Sequence, residues 1–426
     1  MTDDLRTRMH HVADEVTPLP VADDLWRRGQ AARHRGQALV VAAVLVVLAS
    51  VGGGVALWSP SDREARTASQ QVPEGGAIPS RIEDVPDDLP FTTDLAVGRS
   101  SAAFVSSSGD VVVVTAHDGV PHRLALGGRD PAWISVALSP DGRTLAFQQG
   151  NDGGTHVAQL DLASGRTKTI LVHAGDVLKL DELSWSPRGD WLGWAASATN
   201  GLPAFAGQVR PSGEESRRSA PPANVVSVAV ADDGTSALGP VSGGALLWPP
   251  GRELERLSRV PGNPGAFSPD GRHLALRSSP GLVSYTLDTA SREVLEHPFP
   301  DGTFGEAVVR PLGWLDDRLQ LLLVQETAGT RAELVVTTPE IDATSTWRRS
   351  VGSVATTGVA NSLSVAVDLV PDLDGTSSQE LTHDFGDTVD DPPAPLGIEL
   401  SLFIGLAVAA AIALLLGLRL LWRRLA

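Results

Sequence analysis

Residues 133–147 read Trp133-Ile134-Ser135-Val136-Ala137-Leu138-Ser139-Pro140-Asp141-Gly142-Arg143-Thr144-Leu145-Ala146-Phe147. Two short apolar runs flank a polar break at Ser139, Pro140, Asp141 and Gly142. Pro presets φ for an early turn position, Asp bonds nearby backbone, and Gly accepts positive φ. The flanks alternate, with Ile134, Val136 and Leu138 before the break and Leu145 and Phe147 after it. A period of two belongs to strands, so the stretch is a β-hairpin.

The same plan recurs down the chain. Leu183–Trp194 builds it around Ser186-Pro187-Arg188-Gly189, and Ala266–Leu276 builds it around Ser268-Pro269-Asp270-Gly271. Reduced copies stand at Ala231-Asp232-Asp233-Gly234, after Val225–Val230, and at Leu315-Asp316-Asp317, after Trp314. Measured through Ser139, Ser186, Ala231, Ser268 and Trp314, the breaks lie 47, 45, 37 and 46 residues apart. A period of about 40–45 residues with several strands per unit marks a β-propeller. Two degenerate units extend the series, Phe91–Val114 upstream and Val351–Leu369 downstream. Counting both gives seven blades, and six also fits. The expectation is an all-β chain, with a six- or seven-bladed propeller over residues 90–370 flanked by two single transmembrane helices. Gly142 and Gly271 are expected at positive φ, with Gly189 less constrained in its less regular copy.

Ser139-Pro140-Asp141-Gly142-Arg143-Thr144-Leu145-Ala146-Phe147 and Ser268-Pro269-Asp270-Gly271-Arg272-His273-Leu274-Ala275-Leu276 resemble the blade motif of TolB-type and WD-repeat-like bacterial propellers. The resemblance covers roughly residues 90–375. It implies the fold; the motif residues build turns and blade cores and bring no catalytic or ligand-binding residue with them.

The flanks read differently. Residues 1–37 form a polar head in which Leu5, Met9, Val12 and Val16 share one helical face, stopped by Pro18 and Pro20. Such a face suits either a juxtamembrane helix or the docking of a cytosolic partner. Residues 38–58 hold 21 residues without a charge, about 31 Å of helix, which matches the hydrocarbon core. The 37-residue head is long for a cleavable signal, so a retained anchor is expected. A linker follows at 59–89. Beyond the repeats, residues 371–397 are acidic and Pro-bearing and read as a stalk. Residues 398–422 supply a second span, with Leu400–Leu418 uncharged, and 423–426 form a tail.

Arg27, Arg28, Arg33 and Arg35 precede the first span, and Arg419, Arg423 and Arg424 close the second. By the positive-inside rule both termini face the cytoplasm and the propeller lies outside. The second span carries Gly405, Ala409, Ala413 and Gly417 at four-residue spacing, a surface suited to close helix packing. Head plus anchor also resembles membrane proteins of actinobacteria associated with alternative sigma factors, although the head lacks the Cys residues of their zinc-binding type.

Charge and composition exclude several functions. Of 51 acids and 34 Lys and Arg residues, 44 and 25 lie in residues 38–397, a net of −19. So acidic a middle repels nucleic acid and anionic headgroups. It serves solubility or attracts cationic ligands. Cys is absent, which removes disulfides and thiolate chemistry. Neither a Gly-x-Ser-x-Gly elbow nor a phosphate-binding loop occurs. His117 and His122 read as loop residues. Asp372-Leu373-Asp374-Gly375 superficially matches a calcium loop, but Val370 and Leu381 occupy positions that need carboxylates. Trp133, Trp185, Trp191, Trp194 and Trp314 lie on strand patterns and read as core, with a sugar-stacking surface as the other reading. No catalytic, cofactor or metal residue is assigned, and no ligand-binding residue can be named.

The expected function is therefore recognition: a sensor or scaffold of the cell envelope. Its partners are the lipid bilayer, a protein at a propeller face and a cytosolic protein, such as a sigma factor, at the head. A purely structural scaffold is the alternative; an enzyme, or a sugar- or ion-binding propeller, ranks lower.

Overall fold

The structure is a computed structural model that describes residues 72–386, apart from 128–134, 152, 176, 198–204, 213–215, 219–224, 258–259, 279–282, 299–305, 328–331, 339–347, 356–357 and 374–378. The chain divides into two compact units, Met1–Thr67 and Ala68–Ala426, and the described residues belong to the second. The expected head, both spans, the tail, and the parts of the linker and stalk before 72 and after 386 lie outside the described residues.

Six sheets form from the described residues. Four are plain antiparallel meanders of four strands. Blade 2 runs Val136–Leu138, Thr144–Asn151, Gly154–Asp161 and Arg166–Ala174. Blades 3, 4 and 5 repeat it from innermost strands Lys179–Trp185, Val225–Val230 and Asn263–Phe267. Blade 6 starts at Ala307–Trp314 and ends at Arg348–Val354. Contacts run between the innermost strands of successive blades from blade 2 to blade 6.

The hairpin expected from residues 133–147 is present, with Val136 opposite Phe147 and Leu138 opposite Leu145. Its turn is closed by backbone bonds from Ser139 N–H to Thr144 O and from Gly142 N–H to Ser139 O, both 2.8 Å. The Ser139 hydroxyl donates to Asp141 Oδ1 at 2.6 Å. The alternation, however, is not one of burial. Val136, Ala137 and Leu138 are all buried, because an inner strand has a neighbouring blade against each face. Ala at one position in two is thus a packing choice for close blade approach, not a solvent-facing site.

Blade 1 explains the blade count. Its innermost strand is Ser364–Val365, followed outward by Ser100–Val105, Val111–Thr115 and Pro121–Leu124. Ser364 lies opposite Ala103 and Val365 opposite Ala102. The two degenerate units of the sequence, Phe91–Val114 and Val351–Leu369, therefore contribute to one sheet, and the blades number six. The chain's late segment closes the ring against its early one.

The seam is also clamped from outside. Arg81–Ile82 adds a parallel strand to the outer edge of blade 6, and Phe91–Thr92 adds one to blade 1. Arg123 ties the latter in place: it pairs with Asp110 at 2.5 Å, donates to Asp87 O at 2.7 Å and stacks over Phe91. Within the segment read as a stalk, residues 379–386 run back along this edge. His383 N–H donates to Ile78 O and Ser80 N–H to His383 O, each at 2.8 Å, and Leu381 is buried. Likewise Ile78 and Ile82, in the stretch read as linker, are core residues. Composition marked these stretches as spacers, but their few apolar residues dock on the seam. The largest apolar cluster spans this region, from Ile78 and Phe104 through Leu138 and Leu145 to Leu334 and Leu369.

Candidate functional site

The innermost strands enclose an axial cavity of about 220 Å³ lined by residues of all six blades. In blades 3, 4, 5 and 6 the innermost strand carries an irregularity, five residues before the turn at Ser186 and Ala231 and three before it at Ser268 and Leu315, leaving Asp181, Val226, Gly265 and Leu312 unpaired with the second strand. All four line the cavity. A bulge bends a strand and re-aims a side chain, and here it turns one residue per blade toward the axis. Gly265 fits a further need, since a Cβ there would lie 2.8 Å from Pro311 Cγ of blade 6.

Three charged side chains meet in the cavity wall. Glu182 of blade 3 pairs with Arg277 of blade 5, reaching past blade 4. Arg310 of blade 6 donates from Nη2 to Ala360 O at 2.7 Å and Leu363 O at 2.8 Å. Those carbonyls end the single helical turn Val359–Ser362 that precedes the closing strand. Two braces thus stand side by side, Glu182–Arg277 across blade 4 and Arg310 to the closing segment, coupled by charge. Burial pushes the Glu182 carboxyl up, opposed by the Arg277 and Arg310 charges. Burial, then Arg277, bring Arg310 down to about 9, opposed by Glu182. Arg310 therefore remains a cation at neutral pH. Two guanidiniums face one carboxylate, and Asp181 stands exposed at the edge.

Further groups fix the frame. The Trp185 indole N–H donates to Ala137 O, and that of Trp314 to Ala266 O, each at 3.0 Å and each to the innermost strand of the preceding blade. The turns themselves are also linked: Arg188 N–H bonds Asp232 Oδ1 at 2.9 Å between blades 3 and 4, and Asp270 N–H bonds Asp317 Oδ1 at 2.8 Å, again between blades 5 and 6.

The residues weighed from sequence are scattered. Trp191, Trp194 and Trp314 are buried, as expected of core; Trp314 also borders the cavity, together with the half-buried Trp185. Trp133 lies outside the described residues. His117 is exposed; His122 is instead half-buried in the strand Pro121–Leu124, 3.4 Å from Thr92 Oγ1. Burial lowers its pKa against the pull of Asp118. Asp372 is exposed, and Asp374 lies outside the described residues. Among the described residues no group of three or more His, Cys, Asp or Glu side chains is placed to hold a metal ion, and no helix is long and apolar enough to cross a membrane.

Glu182, Arg277 and Arg310 were not singled out in the sequence. A partial signal was there: Arg277 and Arg310 are single basic residues beside apolar ones, as in Leu274-Ala275-Leu276-Arg277 and Val308-Val309-Arg310, whereas Glu182 sits beside Asp181 in a mixed strand. What the sequence lacks is the ring that brings the charges of three blades to one cavity.

No protein-family model matches the chain, and no curated protein matches it. Solved structures do. It is similar to TolB from Acinetobacter baumannii, with TM-score 0.41 and 18% identity over 58% of this chain and 63% of that one, less than two thirds of its length. A putative TolB from Agrobacterium tumefaciens matches with TM-score 0.40 and 14% identity over 60% of this chain and 90% of that one. The β-propeller domain of Cps50 (Swd1) from Myceliophteria thermophila matches with TM-score 0.39 and 15% identity over 54% and 74%. The propeller fold of this chain rests on its own six sheets.

Proposed function

We propose that the chain is a membrane-tethered recognition module of the cell envelope, a rigid propeller held outside the bilayer by a span on either side, binding rather than transforming its ligands. One observation carries this reading: both ends of the propeller leave from one seam. The isolated pairing of Pro79 with His383 brings the incoming and outgoing chain together. Two tethers from one seam suit a domain anchored twice to one surface. The Arg clusters beside the two apolar stretches give the orientation. Propellers present loops at fixed positions on a rigid ring, which suits binding. The apolar face of the head, Leu5, Met9, Val12 and Val16, would carry the signal to a cytosolic partner, a sigma factor being the sort of protein the resemblance suggests.

Protease added outside intact spheroplasts tests the orientation. The propeller should be cut while both termini survive. Protection of the propeller would overturn the placement, and with it the envelope role.

A further inference from the structure

We propose that the axial cavity is a binding site for a small organic carboxylate with a hydrogen-bond donor beside the carboxylate, a 2-hydroxy or 2-amino acid. This goes further than the recognition role and does not depend on the membrane orientation.

Charge balance is the starting point. Arg277 and Arg310 share Glu182 as their facing anion, which leaves one positive charge uncompensated in the wall of a narrow cavity. Buried charges are stable when paired, and an unpaired one is costly. The backbone carbonyls of Ala360 and Leu363 satisfy one nitrogen of Arg310 but bring no charge. Asp181 at the edge is engaged by Lys179 and Ser197 rather than by the two guanidiniums. An anion in the cavity would complete the set.

Three unsatisfied atoms narrow its chemistry. Arg277 Nε and Arg310 Nε are buried donors without a partner, and Glu182 Oε2 is a buried acceptor without one. Glu182 itself is nine-tenths buried, while about a third of the Arg277 side chain stays accessible. The complement is an anion for the guanidiniums joined to a donor for Glu182. A planar carboxylate matches the guanidinium fork, and an adjacent hydroxyl or ammonium supplies the donor. A bare inorganic oxyanion would set its charge against the free Glu182 oxygen. The rest of the lining sets Ser135, Ser184, Ser362 and Ser364 among Val226 and Leu312, a mostly polar wall that suits a small, hydrogen-bonding acid rather than a hydrocarbon. The volume lies below the ~300–1,000 Å³ of sites for drug-sized ligands, which selects a small acid.

Calorimetric titration of the purified full-length chain with lactate, alanine, acetate, phosphate and chloride, at one ionic strength, tests this. Lactate or alanine should bind with Kd on the order of 1 mM or tighter. Acetate, which lacks the donor, should bind about tenfold more weakly. Arg277→Gln should abolish the heat. Should that variant fail to fold, Val226→Phe, at an exposed bulge position, fills the cavity without touching a charge and should likewise abolish it. The proposal is overturned by absence of lactate and alanine binding, by equal binding of phosphate or chloride, or by affinity unchanged in a folded Arg277→Gln or Val226→Phe protein.

Discussion

Blades 2 and 5 carry the same tetrapeptide, Ser-Pro-Asp-Gly, in different surroundings. In both the Ser hydroxyl donates to the Asp carboxylate at 2.6 Å, and Gly142 and Gly271 take φ of 73° and 70°. Around Gly271 the space is open, the nearest atom to an added Cβ being Ala231 Cβ at 3.9 Å. Gly142 lies in the closing seam: its carbonyl accepts from Ser100 N–H at 2.8 Å, and a Cβ would sit 2.1 Å from Ser100 O. Asp368 N–H bonds Pro140 O at 3.1 Å, and Arg99 Nε donates to Asp141 O at 2.6 Å. One motif makes a turn in each place, but only in blade 2 is that turn a lock between the early and late chain. The lesson is that local sequence sets the hairpin, whereas its energetic weight comes from where ring closure falls.

The sharpest way to break the comparison is to attack the lock itself. Val365 is buried in the closing strand against Ala102. Val365→Asp would bury a charge with no partner and undo the pairing, and should cost more than about 4 kcal/mol. Urea unfolding of the purified protein should show the loss. A midpoint near wild type would mean that closure contributes little and that the seam is no different from the other blade contacts.

The glycines test the same contrast at smaller scale. Gly142→Ala should cost about 3 kcal/mol or more, because the strained φ is joined by a backbone clash. Gly271→Ala should cost about 1 kcal/mol, from the φ alone. Gly189, at φ 77° and with no atom nearer than 3.9 Å, should match Gly271. The expectation from sequence paired Gly142 with Gly271 and set Gly189 apart by its Arg188 in place of Asp. Surroundings rank them instead, and thermal unfolding of the three variants decides.

That reordering shows where the sequence was legible. Turn chemistry and strand period are local, so the hairpins at Ser139, Ser186 and Ser268 could be read directly. The six-fold count could not, because Ser364 and Ser100 lie in one blade yet far apart in the chain. The cavity was less legible still. Asp181, Val226, Gly265 and Leu312 share no residue type; they share a register irregularity, which has no composition. Arg310 stood out only as a charge among apolar neighbours and Glu182 not even as that, beside Asp181, with no indication that the two share one cavity.

Acid tests the side of the ring away from the seam. His297, in the outermost strand of blade 5, is buried, and burial holds its pKa down to about 4. The unfolded chain takes up that proton near the ordinary value of 6.5. Stability is therefore full above pH 6.5 and falls as pH drops from there to about 4, by about 1–2 kcal/mol after allowance for solvent screening. His297→Gln should flatten this part of the pH profile. An unchanged slope would assign the acid sensitivity to other groups.

The smallest expected effect concerns the two indoles. Trp185 and Trp314 each bond a carbonyl 48 residues earlier, at the same 3.0 Å, between blades 2 and 3 and between blades 5 and 6. Phe in place of Trp keeps most of the apolar surface and removes the N–H donor, a loss of about 0.5–1.5 kcal/mol. The surroundings again separate equals. Trp314 is 3% exposed and stacks with His273 at 6.0 Å between ring centroids, so Phe leaves a gap there. Trp185 is half-buried at the cavity, where water can replace the lost bond. Trp314→Phe should therefore cost more than Trp185→Phe. Because the two contacts join different pairs of blades with no shared partner, the double variant should lose the sum of the single losses, to within about 0.5 kcal/mol. A loss well above that sum would mean that blade contacts act through the whole ring, and the division between a locked seam and independent middle blades would have to be given up.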